Sequence, residues 1–184
     1  MPPDGKREIN WQFSSCPLES DPSRFGPFRD IVELWAARRP EDGGLPSRRG
    51  IDFYDLKGWH GRIAIAKIER APFDVRFVLW GTTLTAWWGA DYTNELLGAN
   101  ALYPDLWKKT EYPYFARMCR TPFIGVVGGY LDQHNKPHNK VIGLDLPMGD
   151  GRQVTHVLMP HVKVDLDQDI ADVLPDCPPR TMFD

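Results

Sequence analysis

Residues 74–91, DVRFVLWGTTLTAWWGAD, change character at a single glycine. Val75, Phe77 and Leu79 alternate with Arg76, Val78 and Trp80, the period of two that marks a strand. Both faces of that strand are largely apolar, so both are expected to be covered. Gly81 stops the run, Thr82 opens a new segment, and Trp80, Trp87 and Trp88 gather at the bend. The pattern predicts a strand turning sharply into a short helix over 82–88. Large aromatics at such a corner either wall a cavity or fill a core.

Working outward, 62–70 reads as a strand joined to 74–80 by Ala71-Pro72-Phe73, a length suited to a hairpin. Upstream, Phe28, Ile31, Val32, Leu34 and Trp35 recur at helical spacing over 28–39, ending at Pro40 and Gly43-Gly44. Asp52 caps a further short helix running to Leu56. Residues 1–26 are polar and rich in Pro and Ser, and are expected to form a flexible arm. Downstream, 93–97 and 104–120 read as helices, with Pro113 kinking or splitting the second. Strands at 122–133, 140–148 and 152–164 follow, the last two joined through Gly149-Asp150-Gly151. The tail, 166–184, holds one short helix near 169–174. Helices segregated between hairpin-linked strands give an α+β domain over 27–165.

The chain has 184 residues, a net charge of −3, seven Trp and nine Phe. That length expects one domain with a real core. The charge gives no basic footprint, so no nucleic-acid partner is expected. The cysteines, Cys16, Cys119 and Cys177, are odd in number and far apart, which fits a reducing cytoplasm better than a disulfide framework. No apolar run approaches the about 18 residues that span a membrane.

The ionisable candidates are few. His134 and His138 straddle a turn without a carboxylate or Cys at ligand spacing, so no metal site is expected. His156 alternates with Val154 and Leu158 and faces inward, as a core histidine or a ligand contact. Asp145 is placed on the outward side of its strand, solvated or paired. Gly125, Gly128 and Gly129 in a strand-like run allow a bulge or close approach of a neighbouring backbone. No Ser-His-Asp spacing or phosphate-binding loop occurs, so no catalytic residue is assigned.

The helix ending in Leu34-Trp35, Leu45-Pro46-Ser47-Arg48 with Ile51-Asp52 and Leu56, Arg76-Phe77-x-Leu79-x-Gly81-Thr82, Gly89-x-Asp91-x-Thr93, and Leu144-x-Leu146-Pro147 with Gly149-Asp150-Gly151 occur in this order. In these features the chain resembles a stand-alone bacterial PAS family found largely in alphaproteobacteria. One departure is Asn94, where the family pattern often has Gly. The resemblance implies a five-stranded antiparallel sheet, with short helices and a cavity on one face and the N-terminal helix on the other. It also implies a sensory or docking role.

Haem-binding relatives place a His on the long helix, and 104–120 has none. Flavin photosensors carry Asn-Cys-Arg centrally, and only Cys119-Arg120 is comparable. Both cofactors are disfavoured. The expectation is a cytoplasmic regulatory module acting on another protein, with a small ligand held near Trp80, Trp87, Trp88 and His156. A homodimer through Phe28, Ile31, Leu34 and Trp35 is expected, because these side chains are costly to leave in water. The alternatives are a small-molecule enzyme on a cupped sheet, marked by a perturbed ionisable group in the cavity, and a ligand-free docking scaffold whose cavity is filled.

Overall fold

The structure, a computed structural model, describes residues 11–177. It is an α+β fold built on one antiparallel sheet in the order β1-β4-β5-β6-β2-β3. The strands are β1 (Gln12–Cys16), β2 (Ile63–Arg70), β3 (Phe73–Trp80), β4 (Ile124–Leu131), β5 (Lys136–Asp150) and β6 (Gln153–Val164). Five correspond to the strands read from the sequence. The sixth, β1, corrects the expectation of a flexible arm over residues 12–26. Gln12 to Cys16 pair with Gly128 to Ile124, and Leu18, Phe25 and Phe28 are buried behind them. The rest of the expected arm, 1–10, lies outside the described residues.

The corner at Gly81 forms as the alternation predicts. β3 ends at Trp80, and α2 (Thr82–Trp88) begins at once with Gly81 as its N-cap. Gly81 sits against the backbone of Gly61, where a Cβ would lie 2.3 Å from the carbonyl oxygen. Its N–H is anchored to Ile63 at 2.8 Å. Only a residue without a side chain allows the strand to turn that close to its neighbour. Gly89, at φ +84, ends α2 in the left-handed conformation that favours glycine.

Residues 93–97 are not helical. They run beside the outer edge of β3, with Phe77 N–H donating to Glu95 and Leu97 N–H to Val75. Asn94 adopts φ +69 there. The Asp74 carboxylate, buried at the start of β3, accepts N–H groups from Val75, Gly98 and Ala99 at 2.7 to 2.9 Å. Backbone pairing with an open strand edge outweighs the weak helical preference of so short a segment. The expected helix after Asp52 is likewise only a turn, closed by reciprocal bonds between Asp52 and Asp55.

The long helical region is continuous but uneven: α3 (Pro104–Leu106), a π-helical turn (Trp107–Glu111) and α4 (Tyr112–Arg120). Pro113 lies in the first turn of α4, immediately after the π-turn. A proline cannot supply an intrahelical N–H bond, and a widened turn before it accommodates the gap.

Alternation along β4 sorts the two faces of the sheet. Gly125, Val127 and Gly129 lie toward Tyr114, the cavity and Trp11, while Gly128 lies toward Ile170. Ile170 belongs to α5 (Ile170–Val173), capped by Asp169 and Asp172, and Gly26 packs on Val173 and Leu174 beside it. The segment before α1 (Arg29–Ala37) therefore joins α5 over the second face. Cys16 and Cys177 meet within that layer, buried and unbridged, with sulfurs 3.1 Å apart. Much of the expected tail is thus core, as Ile170, Leu174 and Cys177 are all buried.

The expected dimer surface is occupied from within the chain. Phe28, Ile31 and Trp35 are 0 to 1% exposed, and Trp35 Nε1 donates to the Pro147 carbonyl at 2.9 Å. Phe28 stacks on Trp59 at 5.7 Å. Of the four residues only Leu34 keeps part of its surface, so the periodic apolar face serves the chain's own core.

Among the described residues no helix is long and apolar enough to cross a membrane.

Candidate functional site

The sheet's first face and the segment 92–115 line a half-open cavity of about 170 Å³. Trp80 enters from the end of β3 and Trp88 from α2, their rings edge to face at 5.3 Å. Tyr92 closes on Trp80 at 5.0 Å, and Phe77 lies 5.1 Å from it. Trp11 and Phe13 of the β1 region complete the wall. Gly129 makes room for Trp11, whose indole packs where a Cβ would stand.

Into this aromatic chamber the fold places a set of polar groups. Asp145 on β5 is 4% exposed and accepts the Tyr114 hydroxyl at 2.6 Å. The contact exists because Gly125, opposite Asp145 in the ladder, has no side chain; a Cβ there would be 1.6 Å from the Tyr114 oxygen. Glu111, one helical turn before Tyr114, lines the same cavity. Burial, helped by the nearby Asp145 charge, pushes the Glu111 carboxyl up to about 7. Burial raises Asp145 to about 6 against the opposing Tyr114 hydrogen bond. The phenol of Tyr114 is held well above its ordinary value by the same burial.

Two histidines complete the set. His161 on β6 is buried, with Nδ1 on the Met159 carbonyl at 2.9 Å and its ring beside Trp88 at 5.4 Å. Its ring lies over Gly143, where a Cβ would meet it at 2.7 Å. His134 pairs its Nδ1 with the Tyr92 hydroxyl at 2.9 Å. Burial lowers both imidazoles to about 4, so both are neutral at pH 7. Since a neutral ring carries one N–H, His161 gives its proton to Met159 and presents Nε2 as an acceptor.

Of the four expected ligand residues, Trp80 and Trp88 line the cavity. Trp87 does not; it turns away on the adjacent helical position, and its carbonyl accepts from Asn139. His156 is also elsewhere, half-buried and bonded to Thr155. Asp145 is not outward: it lies in the wall, and only its pairing matches the sequence reading. The strand glycines make room for side chains, Tyr114, Ile170 and Trp11, rather than for a neighbouring backbone. Among the described residues, no group of three or more His, Cys, Asp or Glu could hold a metal ion. His138 is exposed and His134 is committed to Tyr92.

Glu111, Tyr114, Asp145, His134, His161 and Tyr92 were not assigned to the site from the sequence. A signal existed for one of them: Asp145 stands between Leu144 and Leu146 in a strand apolar on both faces, which leaves no solvated side for a carboxylate.

The displaced carboxyls make stability depend on pH with a definite sign. An acid whose proton is held more tightly in the fold costs stability as pH rises from its unfolded value through its folded one. For Asp145 that window is 3.8 to about 6, and for Glu111 4.5 to about 7. His134 and His161 act oppositely: their contribution is fully present above 6.5 and is lost as pH falls toward about 4. The two pairs offset each other in the wild type. Asp145→Asn removes one of the acids, so its stability relative to wild type should be about 2 kcal/mol more favourable at pH 8 than at pH 4. Urea unfolding at the two pH values measures this; equal effects at both would contradict the burial of an ionisable Asp145.

No family model, curated protein or solved structure matches the chain.

Proposed function

We propose that the chain is a PAS-type regulatory module of the cytoplasm that holds a small molecule in its cavity and passes occupancy to a protein partner by contact. The observation that carries this reading is the cavity itself. Its volume of about 170 Å³ is close to the roughly 150 Å³ that suffices to take up benzene in an engineered core. It is open space in a chamber rich enough in aromatics to have filled it, which weighs against the filled scaffold. Five strands with short helices inserted between β3 and β4 also support the PAS reading. So does the covering of the second face by the segment leading into α1.

Native mass spectrometry of the purified protein tests this. A bound small molecule is expected, or, if the protein purifies empty, a rise in melting temperature with benzene-sized aromatic compounds. Val127→Trp, which puts an indole into the cavity from β4, should abolish either signal while the fold persists. Failure of both signals in the wild type overturns the reading.

A second reading, an enzyme of small molecules, is favoured by one observation. Glu111, partly buried, and Asp145, fully buried, have carboxyls raised toward neutrality in the wall of one cavity, which is where general acids and bases are tuned. Recovery of the bound molecule in altered form after incubation would select it.

A further inference from the structure

Resting on the reading of this cavity as a ligand site, we propose that its occupant is a small organic cation, a primary amine carried on a compact apolar body. Among the described residues, the chamber's lining contains two carboxyl groups and no lysine or arginine. Buried carboxylates in folded proteins are normally matched by a cation or by several N–H donors. This chain follows the rule elsewhere: Asp74 is equally buried and is satisfied by three backbone N–H groups. Asp145 receives one hydroxyl, on Oδ2, and the Glu111 side chain makes no hydrogen bond or ion pair among the described residues.

A second observation points the same way. His161 is 7% exposed and lines the cavity, and with Nδ1 spent on Met159 its Nε2 has no partner among the described residues. A neutral imidazole so arranged is an acceptor in search of a donor. Trp80 Nε1 is a buried donor without a partner among the described residues, and Asn100 and Gln133 bring amide groups to the lining. The open acceptors are Asp145 Oδ1, the Glu111 carboxyl and His161 Nε2, and the only charge they carry near neutral pH is negative. An ammonium group carries three donors and a positive charge and no acceptor, which complements this set. Trp80, Trp88, Phe77 and Tyr92 supply the rings that favour a cation within reach of their faces. A carboxylate ligand would instead meet two groups of its own sign.

Benzylamine, benzyl alcohol and benzoate, matched in size and differing in charge, separate the alternatives by isothermal titration at pH 8, where both carboxyls ionise. Benzylamine should bind at least tenfold more tightly than benzyl alcohol, and benzoate should not bind. Glu111→Gln removes a charge without breaking a hydrogen bond. It should weaken benzylamine about tenfold and leave benzyl alcohol within about twofold, with Asp145→Asn as an independent second variant. Benzyl alcohol binding as tightly as benzylamine, or benzoate more tightly, overturns the cation assignment and leaves the cavity reading standing. Binding of none of the three overturns the cation assignment, and together with an empty native mass spectrum it overturns the cavity reading as well. Benzylamine affinity unchanged in both variants places the amine elsewhere and likewise overturns the assignment.

Discussion

Trp35→Ala is expected to remove about 4 kcal/mol of stability, the middle of the range for losing a buried large aromatic. The indole is completely buried, and its N–H crosses from α1 to the backbone of β5 at Pro147. Alanine leaves both a void and an unanswered carbonyl, and each penalty is separate. A domain at the low end of the usual range of about 5–15 kcal/mol would then populate the unfolded chain appreciably. Urea unfolding followed by tryptophan fluorescence measures the change. Light scattering adds a control, because the loss should appear without any change in the mass of the folded species. A cost under about 1 kcal/mol, or an altered mass with unaltered stability, would return Trp35 to the surface role that its helical periodicity first implied.

Gly125→Ala should be nearly as damaging, although it adds one carbon. The new Cβ would occupy the position of the Tyr114 hydroxyl and stand 3.1 Å from the Asp145 Cβ. Tyr114, fully buried between Phe13, Phe115 and Phe123, has no free direction in which to retreat. Its bond to Asp145 breaks, and the carboxyl loses its one hydroxyl donor. The sum of overpacking and an orphaned polar group is about 3 kcal/mol. A double-mutant cycle identifies the cause: in the Tyr114→Phe background the nearest ring atom recedes to 2.8 Å, so the cost of Gly125→Ala should fall by at least about 1 kcal/mol. Equal costs in the two backgrounds would mean that the glycine serves the strand and not the tyrosine.

The regular elements were readable because each carries its own period or punctuation. The Gly81 corner, the α1 periodicity and the Gly149-Asp150-Gly151 hairpin are local signals with local causes. β1 was missed because its alternation is only five residues long and includes two serines, in a stretch dominated by Pro and Ser. Residues 93–97 were misread because their conformation is set by the edge of β3, which no window around them contains.

The site divides in the same way. Trp80 and Trp88 announce themselves by bulk at a bend. Glu111 and Asp145 lie 34 positions apart in the chain and become a pair only when α4 crosses the sheet above Gly125. Their chemistry comes from that crossing, since burial, helped at Glu111 by the nearby Asp145 charge and opposed at Asp145 by the Tyr114 hydrogen bond, sets when they ionise. Likewise α1 shows an apolar stripe in sequence but not what covers it, and the answer was the chain itself rather than a second copy.

The meeting of Cys16 and Cys177 has a consequence for how the polypeptide can be cut. A strand laid down before the first helix and a segment that follows the last strand close on each other, so the path through the fold is almost a ring. The excerpt 27–165 would sever that ring on both sides at once. It would bare the outer edge of β4 and empty the seats of Ile170 and Leu174. A circular permutant joining residue 177 to residue 11, opened at the exposed turn beside Gly151, keeps every one of those contacts. The smallest independent unit of this protein is therefore set by ring closure, not by where the helix and the last hairpin begin and end.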